Sequence, residues 1–210
     1  MSSRLSTRAT VAGCVVVLSL VFGQVARATI VMSSDRPPNY PGTSNVQFNG
    51  PQPNGPAPLI QGDLNNNPLF LMNFFGAGEN LVAPSNGQSR VEAADGSFNR
   101  LSVGPDAPGA SVGAIDFNLH TVGNASGNVT LTVLQAFGAP AVQTFPVSNG
   151  ENRLFILALH GQRIRQVDIT STVGLEDIRQ VRVGDTIIPE PASLGLIALA
   201  ATTLVRRRRG

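Results

Sequence analysis

The sequence predicts an all-β domain over residues 59–186, built as an antiparallel sandwich or barrel. Short apolar runs of strand length follow one another and are separated by turn residues. Glycine (22) and proline (15) together make up 37 of the 210 residues, which favours many turns over long helices. No segment of this region has the apolar period of a helix of three turns. The predicted strands are 69–75, 90–94, 112–119, 129–137, 143–147, 153–159, 163–172 and 178–183.

Two of these strands indicate where the core lies. In 112–119 one face carries Ile115, Phe117 and Leu119, and the opposite face carries Asp116, Asn118 and His120. The run 154–159 is apolar at every position. Because alternate side chains of a strand point to opposite faces, a fully apolar strand has both faces covered. We therefore predict that this strand lies near the centre of the domain.

The segment 29–58 precedes the predicted domain and differs from it in composition. It holds seven prolines between residues 33 and 58, together with several asparagines and glycines. No apolar period runs through it, so the sequence predicts a linker or an irregular N-terminal cap. Tyr40, the one tyrosine of the chain, lies in this segment.

Charge is distributed unevenly along the chain. The net formal charge is +2, and all 15 basic side chains are arginines. Three of them lie in the first 28 residues and four in the last five, whereas residues 29–189 hold eight arginines and twelve acidic residues, a formal charge of −4. Binding of a phosphate backbone needs a basic face that displaces counterions. We therefore expect no nucleic-acid partner.

The first 28 residues have the three parts of a secretory signal peptide. Two arginines are followed by an apolar run over residues 9–25 and then by Ala26, Arg27 and Ala28. The positive end stays in the cytoplasm and the peptidase accepts small side chains, so we expect cleavage after Ala28. An uncleaved anchor helix is the alternative. Cys14 lies in the removed segment, which leaves the mature chain without a cysteine for a disulfide or a thiol nucleophile.

The last segment, 187–210, also has three parts. The tripeptide Pro189-Glu190-Pro191 precedes an apolar run over residues 192–205, which is followed by Arg206, Arg207, Arg208 and Arg209. As a helix this run is about 21 Å long, which is short for a hydrocarbon core of roughly 30 Å. The arginines hold the end in the cytoplasm, so the predicted domain would face the other side of the membrane. A plain tail anchor is the alternative.

This three-part end resembles the PEP-CTERM sorting signal. In that family an intramembrane exosortase recognises the tripeptide and processes an exported protein associated with exopolysaccharide or biofilm. The resemblance implies that Pro189, Glu190 and Pro191 are recognition residues and that 206–209 retain the tail. It also implies that the secretion machinery and an exosortase are partners. Residues 192–205 would lie in the inner membrane, transiently or permanently, and the final location would be the cell envelope or the extracellular space. A weaker similarity over residues 60–185 implies a jelly-roll-like form of the β-sandwich.

Signals for catalysis are weak. Ser111 lies in a G-x-S-x-G motif, but the hydrolase nucleophile of that motif needs a strand, a sharp turn and a helix. Here prolines precede the motif and a predicted strand follows it. His120 and His160 are the two histidines, and no second histidine or cysteine completes a metal ligand set with either. We therefore expect no enzymatic activity, and a secreted hydrolase is the least favoured alternative.

Two groups of polar residues are candidates for a binding site or an acid-base pair. Asp63, Asn65 and Asn67 alternate like the start of a calcium loop, but the glycine and glutamate of the EF-hand pattern are missing, which leaves at most a looser structural calcium site. Glu176 and Asp177 are adjacent and would point to opposite faces of a strand. We interpret them as solvated turn charges.

Two functions from different classes fit these features. The first is a non-catalytic surface or matrix protein, sorted by its tail and associated with extracellular polysaccharide. The second is a glycan-binding module, which in the absence of tryptophan would rely on Asn, Asp, Arg and calcium. The phenylalanines are expected in the core.

Overall fold

The computed structural model describes residues 28–49, 54–84 and 89–188 of the chain. These residues form twelve antiparallel strands and one 3-10 turn at Val122–Asn124, with no α-helix among them. The strands are β1 (Thr29–Ser33), β2 (Ser44–Gln47), β3 (Leu59–Leu64), β4 (Asn67–Gly76), β5 (Leu81–Val82), β6 (Arg90–Ala93), β7 (Phe98–Pro105), β8 (Ser111–Thr121), β9 (Gly127–Gln135), β10 (Ala141–Val147), β11 (Asn152–Leu159) and β12 (Ile164–Ile187).

The strands form one sheet that closes on itself through β12. Starting from β12, successive hydrogen-bonded neighbours are β2, β3, β4 and β7, and β7 pairs again with β12. Strands β8, β11 and β1 extend this ring on one side, and β9 and β10 extend it on the other. The result is a sandwich-like arrangement in which the inner faces of the strands surround one main core.

Strand β12 belongs to both layers because its two halves have different partners. Residues 167–170 pair with β7 and β9, whereas residues 177–179 pair with β6 and β8. Register shifts lie between the halves, and Gln180 has a φ of 51°. Irregularities of this kind bend a strand and allow it to pass from one layer to the next.

The main core contains residues from nearly every strand. Its largest fully buried side chains include Phe70, Phe74, Phe98 and Phe117. Phe117 lies on the apolar face that the sequence predicts for β8, and Phe70 and Phe74 share the inward face of β4. The hydrophobic effect of burying these side chains is the main force that holds the layers together.

All eight predicted strands are present, with different boundaries. The strands predicted at 163–172 and 178–183 are one continuous strand, β12. Five strands were not predicted: β1, β2, β3, β5 and β7. Each of them is short or contains glycine, proline or several polar residues, which weakens the apolar alternation on which the prediction depends.

The segment 29–58 is not only a linker or an irregular cap, because it contributes two strands to the sheet. β1 pairs with β11 along five residues, and β2 pairs with β12 and β3. Between them, residues 34–43 cross the outer face of β8 and β11. There Tyr40 is buried against Phe155, at 5.3 Å between ring centroids. The many prolines of this segment interrupt any apolar period, so the sequence does not reveal that its few apolar side chains contact specific residues of the domain.

Strand β11 is covered on both faces, as the sequence predicts, but the prediction that it lies near the centre was wrong: only the edge strand β1 lies beyond it, and β8 is buried along more of its length. Leu154 and Ile156 lie in the main core, whereas Phe155 and Leu157 belong to a second, smaller cluster with Tyr40. Tyr40 and its neighbours on residues 34–43 therefore provide the second cover that a fully apolar strand requires.

The two terminal signals lie outside the described residues, apart from Ala28, which is exposed and directly precedes β1. Ala26, the tripeptide Pro189-Glu190-Pro191, the segment 192–205 and residues 206–209 are among those not described. Within the described ranges, no helix has the length and apolar character needed to span a membrane.

The position of Tyr40 leads to a stability prediction. We expect Tyr40→Ala to lower the free energy of unfolding by about 3 kcal/mol, because it removes a buried aromatic ring. Ser34→Ala, in the same segment but exposed, should change it by less than about 0.5 kcal/mol. Urea unfolding followed by circular dichroism measures both values. Equal, negligible effects would mean that residues 34–43 act as a linker.

Candidate functional site

An open groove lies on the outer face of the layer formed by β3, β4, β7 and β12. Its volume is about 430 Å³, and its lining residues are Leu59, Asn73, Phe75, Ser102, Gly104, Pro105 and Gln166. Neighbouring strands bring them together: Phe75 lies opposite Leu59 on one side and Ser102 on the other. The groove is thus built by strand register from four distant parts of the chain.

Two apolar side chains on the groove are unusually exposed. Phe75 is 46% exposed and Leu59 is 40% exposed, although both lie on regular strands. Their sequence neighbours Phe74 and Ile60 point into the core and are buried. The groove therefore presents an apolar platform to solvent, which the expectation that the phenylalanines lie in the core did not anticipate.

Gly104 keeps the middle of the groove open. A Cβ atom at this position would lie 2.7 Å from the backbone oxygen of Arg165. β12 approaches so closely because its register with β9 shifts between Ile164 and Gln166. Only glycine fits this approach, and it leaves no side chain between Asn73 and Gln166.

Polar side chains beside the platform are held by hydrogen bonds. Gln61 Nε2 donates to Asn73 Oδ1 at 2.8 Å and to Asp106 Oδ1 at 2.9 Å, and Asn73 Nδ2 donates to Asp106 Oδ1 at 3.0 Å. These bonds orient the two amides along the groove and place a carboxylate at its edge.

A second set of hydrogen bonds lies across the groove. Ser102 Oγ and Gln166 Nε2 both donate to Asp168 Oδ1, each at 2.6 Å. The groove thus combines an apolar platform with oriented amides, a hydroxyl and carboxylates, all groups that can hydrogen-bond to a polar ligand. The carboxylates at both edges disfavour an anionic ligand.

One sequence signal could have revealed the platform. Phe74 and Phe75 are adjacent in a predicted strand, and adjacent side chains point to opposite faces. If Phe74 belongs to the core, Phe75 must point away from it. The opposing residues Leu59 and Ser102 carry no such signal, because strand pairing alone brings them to this place.

A second polar region, the arginine face, lies outside β8, β11 and β12. Asp116 and Asn118 on β8 are buried, and Asp116 Oδ2 accepts a hydrogen bond from Arg153 at 2.7 Å. Arg182 lies directly opposite Asp116 on β12. Residues 34–43, which cover β8 and β11, are called the covering segment. Their Arg36 lies over the ring of Tyr40, with its guanidinium carbon 5.5 Å from the ring centroid.

Burial raises the pKa of Asp116 above its ordinary value, even though the hydrogen bond from Arg153 and the charges of Arg153, Arg182 and Arg36 act in the opposite direction. Burial also raises the pKa of Tyr40, and the negative charge of Asp116 adds to this shift. Asp116 and Asn118 point away from the main core, on the polar face of β8, yet this face is also largely inaccessible to water.

The interpretation of Asp177 as a solvated turn charge was wrong. Asp177 is fully buried on β12 and accepts hydrogen bonds from Arg90 Nε at 2.8 Å and from Arg179 Nη2 at 2.6 Å. The hydrogen bond to Asp177 raises the pKa of Arg179. Glu176 is exposed, as expected, and also contacts Arg90. Arg90 from the neighbouring strand β6 and Arg179 from β12 itself compensate the carboxylate, which allows it to be buried.

The three calcium candidates lie at the β3–β4 hairpin. Asp63 is on β3, Asn65 is in the turn and Asn67 begins β4. Asp63 Oδ1 is buried without a hydrogen-bond partner among the described residues. Among all the described residues, no group of three or more His, Cys, Asp or Glu side chains is arranged to hold a metal ion.

The catalytic candidates do not come together. Ser111 begins β8 as part of a turn-to-strand transition, and its hydroxyl accepts a long hydrogen bond from Arg163 Nε at 3.4 Å. His120 lies near the other end of the same strand, and His160 is exposed in a turn after β11 with a φ of 53°. The strand-turn-helix context of a hydrolase nucleophile is not formed at Ser111.

The raised pKa of Asp116 leads to a pH-dependent prediction. Between the ordinary pKa near 3.8 and the higher folded-state value, the folded chain binds more protons, so ionisation of Asp116 lowers stability as pH rises. We expect Asp116→Asn to gain stability relative to the wild type between about pH 3 and about pH 7. Urea unfolding of both proteins across this range measures the difference, and a constant or decreasing difference would contradict it.

Comparison with known proteins identified no similar family, protein or structure. A scan against protein-family models, a search of curated proteins and a search of solved structures each found no match to this chain.

Proposed function

We propose that this chain is an exported, non-catalytic surface or matrix protein that binds extracellular polysaccharide through the groove. The observation that carries the proposal is the exposed Phe75–Leu59 platform, flanked by oriented amides and a hydroxyl. An aromatic ring packs on the C–H face of a sugar, and fixed polar groups hydrogen-bond to its hydroxyls. The acidic edges favour a neutral polymer.

The row of residues through the groove supports a polymer rather than a single sugar. Register aligns one residue from each of six neighbouring strands, namely Val142, Thr132, Asp168, Ser102, Phe75 and Leu59. At roughly 4.8 Å between strands, the row is about 24 Å long. Hydrogen-bonding groups along this row could contact several successive units of a chain.

Sorting is the second part of the proposal. The signal peptide 1–28 exports the chain, and the tail 187–210 presents the tripeptide Pro189-Glu190-Pro191 to an exosortase while 206–209 stay in the cytoplasm. The segment 192–205 then lies in the inner membrane, and processing gives the final attachment. The antiparallel domain outside the membrane would be a jelly-roll-like sandwich that needs no cofactor. Structural calcium at Asp63, Asn65 and Asn67 is tested by including calcium or a chelator in the binding experiment below.

We expect Phe75→Ala to weaken polysaccharide binding about tenfold, because it removes half-exposed apolar surface that the ligand would cover. Affinity electrophoresis of the full chain in detergent through gels that contain neutral polysaccharides measures retardation, with calcium and with a chelator.

Leu69→Ala is the matched control, because Leu69 lies on the same strand and face and is 85% exposed but does not line the groove. It should leave retardation unchanged. Equal loss in both variants, or no retardation of the wild type by any neutral polymer, would refute binding at the groove.

A separate experiment tests sorting. Replacing Pro189-Glu190-Pro191 with alanines should leave export intact but block maturation, because the recognition residues are gone. The same replacement of Pro51-Gln52-Pro53 preserves the spacing of the two prolines elsewhere and should permit maturation. Immunoblots of cell fractions measure both, and a processed band of unchanged intensity in the first variant would contradict exosortase recognition.

A further inference from the structure

We propose that the arginine face is a second binding site, and that it takes the carboxylate of an acidic sugar in a uronate-bearing polysaccharide. The residues that would hold the carboxylate are Arg36 and Arg182, with Arg153 at their side. This site lies on a different layer from the groove and would bind a ligand of opposite charge preference.

Three arginines from separate parts of the chain converge on one carboxylate. Arg153 donates to Asp116 at 2.7 Å, and Arg182 faces Asp116 across the β8–β12 pair. Arg36 is placed by Tyr40, whose ring packs edge-on against Phe155, the residue opposite Asp116 on β11. The convergence is thus set by two strand pairings and one aromatic contact.

Among the described residues, Arg153 is the one of these three arginines that has an internal counter-ion. Arg153 pairs with Asp116, whereas neither Arg36 nor Arg182 forms an ion pair with a carboxylate within the described ranges. Arg182 uses Nε to donate to Asn45 Oδ1 at 2.9 Å, and its two terminal nitrogens have no assigned acceptor there. Arg36 is exposed and Arg182 is half-buried, and we infer that both guanidinium groups can reach a ligand in solvent.

The neighbouring part of the same face, by contrast, has no excess of positive charge. There Arg90 and Arg179 face the three carboxylates of Glu92, Glu176 and Asp177, with the shortest ion pairs at 2.6 Å. Around Asp116 three arginines face one carboxylate. The excess positive charge is therefore confined to the Arg36–Arg182 end, where a bidentate guanidinium geometry suits a carboxylate.

Orphaned polar atoms beneath this end indicate that the ligand also carries hydroxyl groups. Asp116 Oδ1, Asn118 Oδ1 and the Tyr40 hydroxyl are buried and have no hydrogen-bond partner among the described residues. Asp116 is 2% exposed and Asn118 is 1% exposed. Unsatisfied buried acceptors destabilise a fold, and a water that enters beneath the arginines and bridges to a ligand hydroxyl would satisfy them. A uronate supplies both the anion and the hydroxyls.

The test is isothermal titration calorimetry of the full chain in detergent with oligogalacturonate. We expect the wild type to bind with an affinity that falls as salt rises, and the double variant Arg36→Gln/Arg182→Gln to bind about tenfold more weakly or worse. The control Arg100→Gln/Arg165→Gln changes the net charge equally at exposed residues of the other layer. It should stay within about twofold of the wild type.

Further ligands and variants separate this site from the groove. Methyl-esterified oligogalacturonate, which lacks the charge, should not bind at the arginines, and Phe75→Ala should leave uronate binding intact. No uronate binding by the wild type, equal loss in both double variants, or loss in Phe75→Ala would each overturn the proposal. Tighter binding of an RNA homopolymer than of the uronate would overturn it as well. Arg36→Gln alone, on the exposed part of the covering segment, gives the same readout if the double variant does not fold.

Discussion

The structure depends on one strand that is shared between two layers. β12 pairs with β7 and β9 in its first half and with β6 and β8 in its second. Both polar regions use it: Gln166 and Asp168 contribute to the groove, and Arg179 and Arg182 to the arginine face. Because a bulged strand changes direction without interrupting the chain, β12 closes the core and carries side chains to two outer surfaces.

The carboxylates of the two outer surfaces differ in their hydrogen-bond partners. In the groove the carboxylates of Asp106 and Asp168 accept hydrogen bonds from neutral amides and a hydroxyl, so the negative charge remains available at the edges. On the arginine face the carboxylates of Asp116 and Asp177 are buried beneath guanidinium groups. Burial of an ion is tolerated only with such partners. If both proposed sites bind as inferred, the protein would contact neutral and acidic polymers at once.

The prediction from sequence succeeded where one face of a strand is apolar and the other polar. β4, β8 and β9 have that alternation, and each appears close to its expected place. It failed for β1 and β2, which are four or five residues long and lie in a segment interrupted by prolines, so that no apolar period is visible there. Tyr40 illustrates the difference: it looks like a linker residue until Phe155 is placed beside it, 115 positions later in the chain.

The amino-acid sequence by itself determined the all-β character of the described residues, the inward side chains of the regular strands and the outward direction of one residue in the Phe74–Phe75 pair. These follow from local backbone geometry, because side chains alternate along any extended strand. Only the tertiary structure decided that Leu59 faces Phe75, that Asp177 is buried, and that Arg36, Arg153 and Arg182 surround Asp116. Those neighbours are joined by strand register and by the path of a covering segment. Neither property is encoded within any single stretch of the chain.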